Sequence, residues 1–214
     1  STHSFRSTGA EQNRACSFHG AESMMNESLF DEAAESIRQI HIPNRSVLVA
    51  IDGRCGSGKS TLAQALSERF GYAVIHMDDF FLRPEQRTPE RLAKPGGNVD
   101  YERFLTEVLL SLYRGKLVEY RKYQCSTGLL SSPVELKKAD VTVIEGSYSL
   151  HPMLRSYYDY RIFMTTDPQT QLNRIALRSG ADKLEAFRTR WIPLEELYIS
   201  ALKPESCSDM ILET

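Results

Sequence analysis

The chain has 214 residues, of which 41% are hydrophobic and 25% charged, and this composition is that of an ordinary globular domain with a sizeable core. A formal net charge of -2 argues against a broad basic surface for nucleic acid or an anionic membrane, and no apolar run approaches the ~20 residues of a membrane span. The four cysteines are scattered without a C-x-x-C pair, which predicts reduced thiols in a cytoplasmic protein. These patterns leave the oligomeric state open, and a homo-oligomer is compatible with them.

The start of the chain differs in composition from the rest. Residues 1–24 are rich in small and polar residues without hydrophobic periodicity, which predicts a poorly ordered extension or a cloning remnant before a single domain over residues 25–214. From Asn26 apolar residues recur at helical spacing, and Pro43 is expected to end that helix.

A glycine-rich turn between an apolar run and a helical pattern lies at Val47–Leu62. Gly53, Gly58, Lys59 and Ser60 match G-x-x-x-x-G-K-[ST], in which glycines let backbone N–H groups surround an anion and the lysine meets the terminal phosphates. The positive end of the following helix adds to the same field. The sequence therefore predicts a phosphate-binding loop, or P-loop, for a nucleotide, ATP or GTP, with these nucleotide contacts: Gly53, Arg54, Cys55, Gly56, Ser57, Gly58, Lys59, Ser60 and Thr61. Cys55 is interpreted as a small loop residue, with an oxidation-sensitive thiol as the alternative.

Further apolar runs alternate with helical patterns along the chain. Strands are predicted at residues 72–76, 141–144, 160–164 and 210–212, in addition to the one before the P-loop. Together they indicate an α/β fold, a doubly wound, five-stranded parallel sheet with flanking helices. Two short extended pieces at 116–123 and 133–137 predict a small β-hairpin flap outside the sheet, and the proline-rich segment 82–98 predicts a loop over the substrate.

Acidic residues follow two of the predicted strands, where open α/β sheets keep their chemistry. Ser60 and Glu145 are candidate Mg²⁺ ligands, because this ion accepts a hydroxyl and one carboxylate while it retains several waters. Asp78 or Asp79 is the candidate base for a substrate hydroxyl, and adjacent side chains point differently, so only one is expected to act. His76 and His151 are expected to be neutral packing or capping residues.

A basic segment around Gly180 predicts a mobile helical lid. Arg178 is the first candidate to cover the transferring phosphoryl group and Arg174 the second, because a planar guanidinium suits a spread anionic charge. Trp191 is interpreted as a core residue or an anchor of this lid.

The motifs, in their order from Ser46 onward, resemble the uridine kinase branch of P-loop kinases, which includes nicotinamide riboside kinase, phosphoribulokinase and bacterial pantothenate kinase. The segment 78–81, Asp-Asp-Phe-Phe, is similar to one whose first acid is the catalytic base, which implies Asp78 in that role and Asp79 and Phe81 near the substrate. Asn98-Val99-Asp100 is similar to an element whose acid binds ribose hydroxyls, which implies Asp100. The resemblance also implies that Tyr123 lines the acceptor pocket and that Glu145, in Ile-Glu-Gly, lies at the metal.

Three departures from the family pattern concern the acceptor. The lid lacks the second Arg-Gly of uridine kinases, the loop 87–97 is longer, and Cys125 stands where an aromatic residue often supports the base. We therefore expect an ATP- and Mg²⁺-dependent kinase for a small-molecule hydroxyl, with the 5′-OH of a nucleoside as the first candidate acceptor. Pantothenate, nicotinamide riboside or a sugar phosphate is the alternative, and a regulatory protein that binds or slowly hydrolyses ATP is a third. Basic residues facing the acceptor would favour a phosphorylated substrate, whereas Asp100 beside it would favour a neutral polyol.

Overall fold

A computed structural model describes residues 27–214 of the protein, so the extension expected over residues 1–24 lies outside the described residues. The first elements are α1 (Glu27–Arg38), β1 (Val47–Gly53), α2 (Lys59–Phe70), β2 (Ala73–His76), α3 (Pro89–Leu92), α4 (Tyr101–Phe104) and α5 (Leu110–Tyr113). A π-helical turn, Leu105–Leu109, joins α4 to α5, and short 3₁₀ turns occupy Met77–Phe80 and Pro84–Gln86.

The second half of the described chain begins with four two-residue strands, β3 (Glu119–Tyr120), β4 (Tyr123–Gln124), β5 (Leu129–Leu130) and β6 (Val134–Glu135). The later elements are β7 (Val141–Glu145), β8 (Tyr160–Thr165), α6 (Pro168–Ser179), α7 (Ala181–Ala186), a π-helical turn at Phe187–Trp191, α8 (Ile192–Leu202) and β9 (Met210–Glu213). No helix within residues 27–214 is both long and apolar enough to cross a membrane.

The predicted sheet is confirmed. Its five strands run parallel in the order β2-β7-β1-β8-β9. Every residue of β1 is buried, because successive side chains enter hydrophobic clusters on opposite faces: Leu48 packs with α4 and α8, and Val49 packs with α1 and α2. The central strand is thus covered on both sides, and the loop that follows it is held at one edge of the sheet.

Local boundaries differ from the expectations at three places. Helix α1 ends at Arg38, before Pro43, and the segment 82–98 contains a 3₁₀ turn and α3 instead of an irregular loop. The flap pairs β3 with β6 and β4 with β5, so it is a hairpin with much shorter ladders than the extended pieces predicted. Gly180 separates α6 from α7, as the expected lid requires.

Candidate active site

The P-loop connects β1 to α2 by three glycines with positive φ. Gly53 has φ +138, and a Cβ there would lie 1.9 Å from the carbonyl oxygen of Met164, so only glycine permits this approach to β8. Gly58, with φ 94, is the residue before α2. The Lys59 ammonium donates hydrogen bonds to the carbonyl oxygens of Gly53 and Arg54, both at 2.8 Å. The lysine therefore lies across the loop instead of extending into solvent.

A cavity of about 1570 Å³ opens beside this loop. It is large enough for two ligands of metabolite size, since small-molecule pockets usually measure about 300–1,000 Å³. Its lining includes these predicted site residues: Cys55, Gly56, Gly58, Lys59, Ser60, Thr61, Asp78, Phe81, Tyr123, Glu145, Arg174 and Arg178. Residues from the P-loop, the end of β2, the flap and the lid therefore face one space.

Ser60 and Glu145 form the candidate metal site. The Ser60 hydroxyl lies 3.2 and 3.3 Å from the two Glu145 carboxylate oxygens, and Glu145 is buried with its carboxylate at the cavity wall. Within residues 27–214 no group of three histidine, cysteine or acidic side chains is arranged to hold a metal ion. One hydroxyl beside one carboxylate fits Mg²⁺, which keeps most of its waters in such sites.

His76, the last residue of β2, is also part of this site. Its Nδ1 lies 2.5 Å from Glu145 Oε1, and this hydrogen bond raises the pKa of the imidazole above 6.5. The expectation that His76 is only a neutral packing residue is therefore wrong, although its position at a strand end was a signal for a site residue. His151 does fit that expectation, because it stacks on Tyr101 and burial lowers its pKa to about 4.

Asp78 lies in the 3₁₀ turn after β2 and opens into the cavity. Asp78 is exposed to this space, and the desolvation imposed by the residues around it, followed by the charge of Glu145, raises its pKa, while Lys59, His76 and Arg178 oppose that shift. Among residues 27–214 the Asp78 carboxylate forms no ion pair. A carboxylate of raised basicity that faces a cavity is suited to accept a proton.

Two predicted substrate contacts are absent from the cavity lining. The carboxylate of Asp79 lies 3.3 Å from the ammonium of Lys122 on the flap. Asp100 is 3% exposed and caps α4 by accepting a hydrogen bond from the backbone N–H of Arg103. Both acids are therefore engaged inside the protein, and the structure does not bring them to the space where an acceptor would lie.

Three P-loop residues also lack a place in the lining. Gly53 contacts the backbone of β8, Ser57 is fully buried, and the Arg54 guanidinium forms an ion pair with Glu196 at 2.8 Å. These residues shape the loop, and none of them lines the cavity. Cys55 lines it, yet burial and Glu195 raise the pKa of its thiol to about 12, which contradicts the alternative of a reactive thiol.

Helix α8 contributes two residues that sequence patterns did not single out, Glu195 and Tyr198. Glu195 accepts hydrogen bonds from the Cys55 backbone N–H and, at 2.6 Å, from the Ser147 hydroxyl. Tyr198 donates to Asp52 at 2.6 Å, and burial raises the pKa of that carboxyl to about 6 although backbone N–H groups also donate to it. The sequence could have indicated Asp52, because it is an acid within the apolar run of β1. Nothing in the sequence indicated its partner on α8.

The two candidate lid arginines differ in their contacts. Arg174 donates to the carbonyl oxygen of Gly56 at 3.1 Å and to the Thr214 hydroxyl at 2.9 Å, so it braces the P-loop. Arg178 lies at the cavity wall with its guanidinium over the ring of Phe187, at 5.8 Å from the centroid. Trp191 also lines the cavity, 6.5 Å from Phe81 between ring centroids. Of these two arginines, Arg174 is hydrogen-bonded to the P-loop, and Arg178 contacts lid residues and lines the cavity.

Comparison with known proteins shows the family and the fold of the chain. The family model described as phosphoribulokinase / uridine kinase family matches residues 48–183. The chain is similar to a uridine kinase of Alkaliphilus metalliredigens, at 29% identity over 75% of this chain and 79% of the relative, and to a phosphoribulokinase of Synechocystis sp., at 28% over 65% of this chain and 44% of the relative. A solved structure of a possible uridine kinase from Bacillus stearothermophilus has a TM-score of 0.65 at 21% identity and covers 87% of this chain and 98% of its own, which shows a shared fold.

Proposed function

Because the chain belongs to the phosphoribulokinase / uridine kinase family, we propose that it transfers the γ-phosphoryl group of ATP to a hydroxyl of a small metabolite, with Asp78 as the base. The family makes the chain a phosphotransferase with an alcohol group as acceptor. The observation that carries the residue assignment is that Asp78 and Lys59 line one cavity beside the Ser60–Glu145 pair.

The reaction assigns one task to each group. The acceptor O–H bond breaks as Asp78 takes the proton, the acceptor oxygen bonds to the γ-phosphorus, and the bond from that phosphorus to the bridging oxygen of ADP breaks. Lys59 and Arg178 stabilise the charge that develops on the transferring group. Ser60 and Glu145 would hold Mg²⁺, which neutralises phosphate charge when it is bound.

Among possible acceptors, the 5′-OH of a nucleoside is the one that similarity to the relatives favours. Curated relatives named uridine kinase support it, and so do the aromatic side chains of Phe81, Tyr123 and Trp191 in the cavity wall, against which a flat base could pack. The identities of these relatives are below 30%, so the acceptor has to be established by experiment.

A coupled assay of ADP release tests the proposal. The panel contains nucleosides, nicotinamide riboside, pantothenate and pentose phosphates, each with ATP and Mg²⁺. Acceptor-dependent ADP release that is lost in Asp78→Asn supports the kinase. Nucleotide binding with no acceptor-dependent release from any class would instead support the rival, a protein that binds or slowly hydrolyses ATP.

A further inference from the structure

Asp100, the acid that was expected to bind a neutral polyol, already has hydrogen-bond partners inside the protein. Gln86 Nε2 donates to Asp100 Oδ2 at 2.9 Å, and the Asp100 Oδ1 accepts from the backbone N–H of Arg103. The Nε of Arg103 lies 3.7 Å from the Asp100 Oδ2. Gln86 ends the 3₁₀ turn Pro84–Gln86, and neither Gln86 nor Asp100 belongs to the cavity lining. A pair of sugar hydroxyls therefore finds no carboxylate from Asp100 at this wall.

The next residue in the chain, Arg87, takes the exposed position at the same wall. Its Nε donates to the carbonyl oxygen of Leu82 at 3.0 Å and its Nη2 donates to the Tyr123 hydroxyl at 2.8 Å. Both acceptors are neutral, and no ion pair among residues 27–214 includes Arg87. The guanidinium is therefore held in a fixed orientation while its charge has no counter-ion and its Nη1 edge stays available.

The residues around Arg87 favour the binding of an anionic ligand group. Its two hydrogen-bond partners, Leu82 and Tyr123, line the cavity, and so do the apolar side chains of Phe81 and Leu92. Four acids line the cavity: Glu145, Glu195 and Glu68 are engaged by His76, by the P-loop and by Gln64, and Asp78 is the acid assigned to the reacting hydroxyl. An ionised ligand group next to this exposed guanidinium forms a charge-assisted hydrogen bond, which strengthens as the ligand excludes water from the wall.

We propose that the acceptor carries an anionic oxyacid group, a phosphate or a carboxylate, in addition to its reacting hydroxyl, and that Arg87 binds this group. The inference rests on the proposed kinase reaction and narrows its acceptor class. It replaces the recognition of neutral hydroxyls by Asp100 with recognition of a negative charge, and it favours the sugar phosphate or hydroxycarboxylate alternatives over an uncharged nucleoside.

The first experiment measures kcat/KM for matched acceptors in the ADP-release assay. A pentose phosphate and pantothenate represent the phosphate and the carboxylate, and the unphosphorylated pentose and uridine are the neutral arms. We expect at least one anionic acceptor to exceed both neutral ones, and Arg87→Gln to lower its kcat/KM by about 10- to 100-fold, mainly through KM. Arg87→Lys should recover part of the loss, because the charge returns without the planar fork.

A matched control and a binding readout separate this inference from the kinase reaction. Arg114→Gln removes an exposed arginine outside the cavity lining and should change neither constant. Trp191 is the one tryptophan of the chain and lines the cavity, so its fluorescence reports acceptor binding without turnover. Titration with the same four acceptors should show saturable, salt-sensitive binding of an anionic one that weakens in Arg87→Gln and not in Arg114→Gln.

The outcomes distinguish the two claims. If a neutral nucleoside has the highest kcat/KM and Arg87→Gln leaves it unchanged, the anionic acceptor is wrong while the kinase proposal stands. If no acceptor releases ADP, the Trp191 titration decides: anion binding that depends on Arg87 supports the inference, and equal binding of neutral and anionic acceptors overturns it. Preference for the phosphate arm or the carboxylate arm identifies the group.

Discussion

The Glu195 carboxylate on α8 accepts hydrogen bonds from the backbone N–H of Cys55 in the P-loop, at 3.0 and 3.2 Å. Glu196, the next residue, forms an ion pair with Arg54, so two consecutive acids hold two consecutive loop residues. An anion therefore already lies at the rim of a loop that is built to bind anions. Because α8 directly follows the lid segment, this contact joins the lid to the nucleotide site.

Replacing Glu195 with glutamine should increase affinity for ATP. The amide oxygen still accepts from Cys55, whereas the charge that repels an incoming phosphate is gone, so we expect the dissociation constant to fall by about tenfold. Isothermal titration with a non-hydrolysable ATP analogue measures it. Glu196→Gln is the control, since Glu196 is half exposed and lies outside the cavity lining. Weaker binding in the Glu195 variant than in the control would contradict the electrostatic reason.

Asp78→Asn should abolish most turnover and leave the fold intact. Loss of a general base lowers kcat by about 10²–10⁴. The pKa of Asp78 is raised in the folded protein, so its ionised form costs stability once the pH rises above the ordinary value of 3.8, and the variant should be at least as stable as the wild type at pH 7. Steady-state kinetics and urea denaturation measure the two effects. A variant with normal kcat would remove Asp78 from the mechanism.

The His76–Glu145 pair should make the Mg²⁺ requirement depend on pH. The pKa of His76 is raised above 6.5, so the charged pair stabilises the fold fully below 6.5 and this contribution is lost as the pH rises through the folded-state pKa. Deprotonation also frees Glu145 for the metal, and we expect the Mg²⁺ concentration for half-maximal activity to fall by about tenfold across that transition. His76→Asn should show a flatter pH dependence. If the Mg²⁺ concentration for half-maximal activity changed with pH as steeply in His76→Asn as in the wild type, another group would be responsible.

Gly53→Ala should damage the fold far more than Gly71→Ala. A Cβ on Gly53 would meet the Met164 carbonyl oxygen at 1.9 Å, whereas one on Gly71, with φ +70, would meet nothing within 4 Å. In the Gly71 variant the free energy of unfolding should fall by only about 1 kcal/mol, the cost of a left-handed backbone for alanine. In the Gly53 variant it should fall by more than about 4 kcal/mol. Urea denaturation of both proteins checks this, and equal losses would mean that β8 can move away from the loop.

The sequence predicted those parts of the site that depend on neighbouring residues. The glycine spacing and the apolar run located the P-loop, and the position of Asp78 after a strand placed it near that loop, because parallel strands end at the same edge of the sheet. Asp79, which follows the same strand, and Asp100, which the family resemblance implied, do not line the cavity. Their environments are set by Lys122 and Gln86, whose approach depends on the path of the flap and of a short turn. Glu195 and Tyr198 were missed because a helical pattern does not say which distant loop the helix meets.

The strand order also has a consequence for how the protein folds. β1 pairs with β7 and β8, so Val49 lies beside Val143 and Tyr160, about a hundred residues farther along the chain. Bringing such distant segments together carries a large loop-closure cost before any contact compensates it, and this slows folding. During synthesis the strand that precedes the anion-binding loop therefore has no neighbouring strand until most of the chain has emerged, and it stays accessible to chaperones until then.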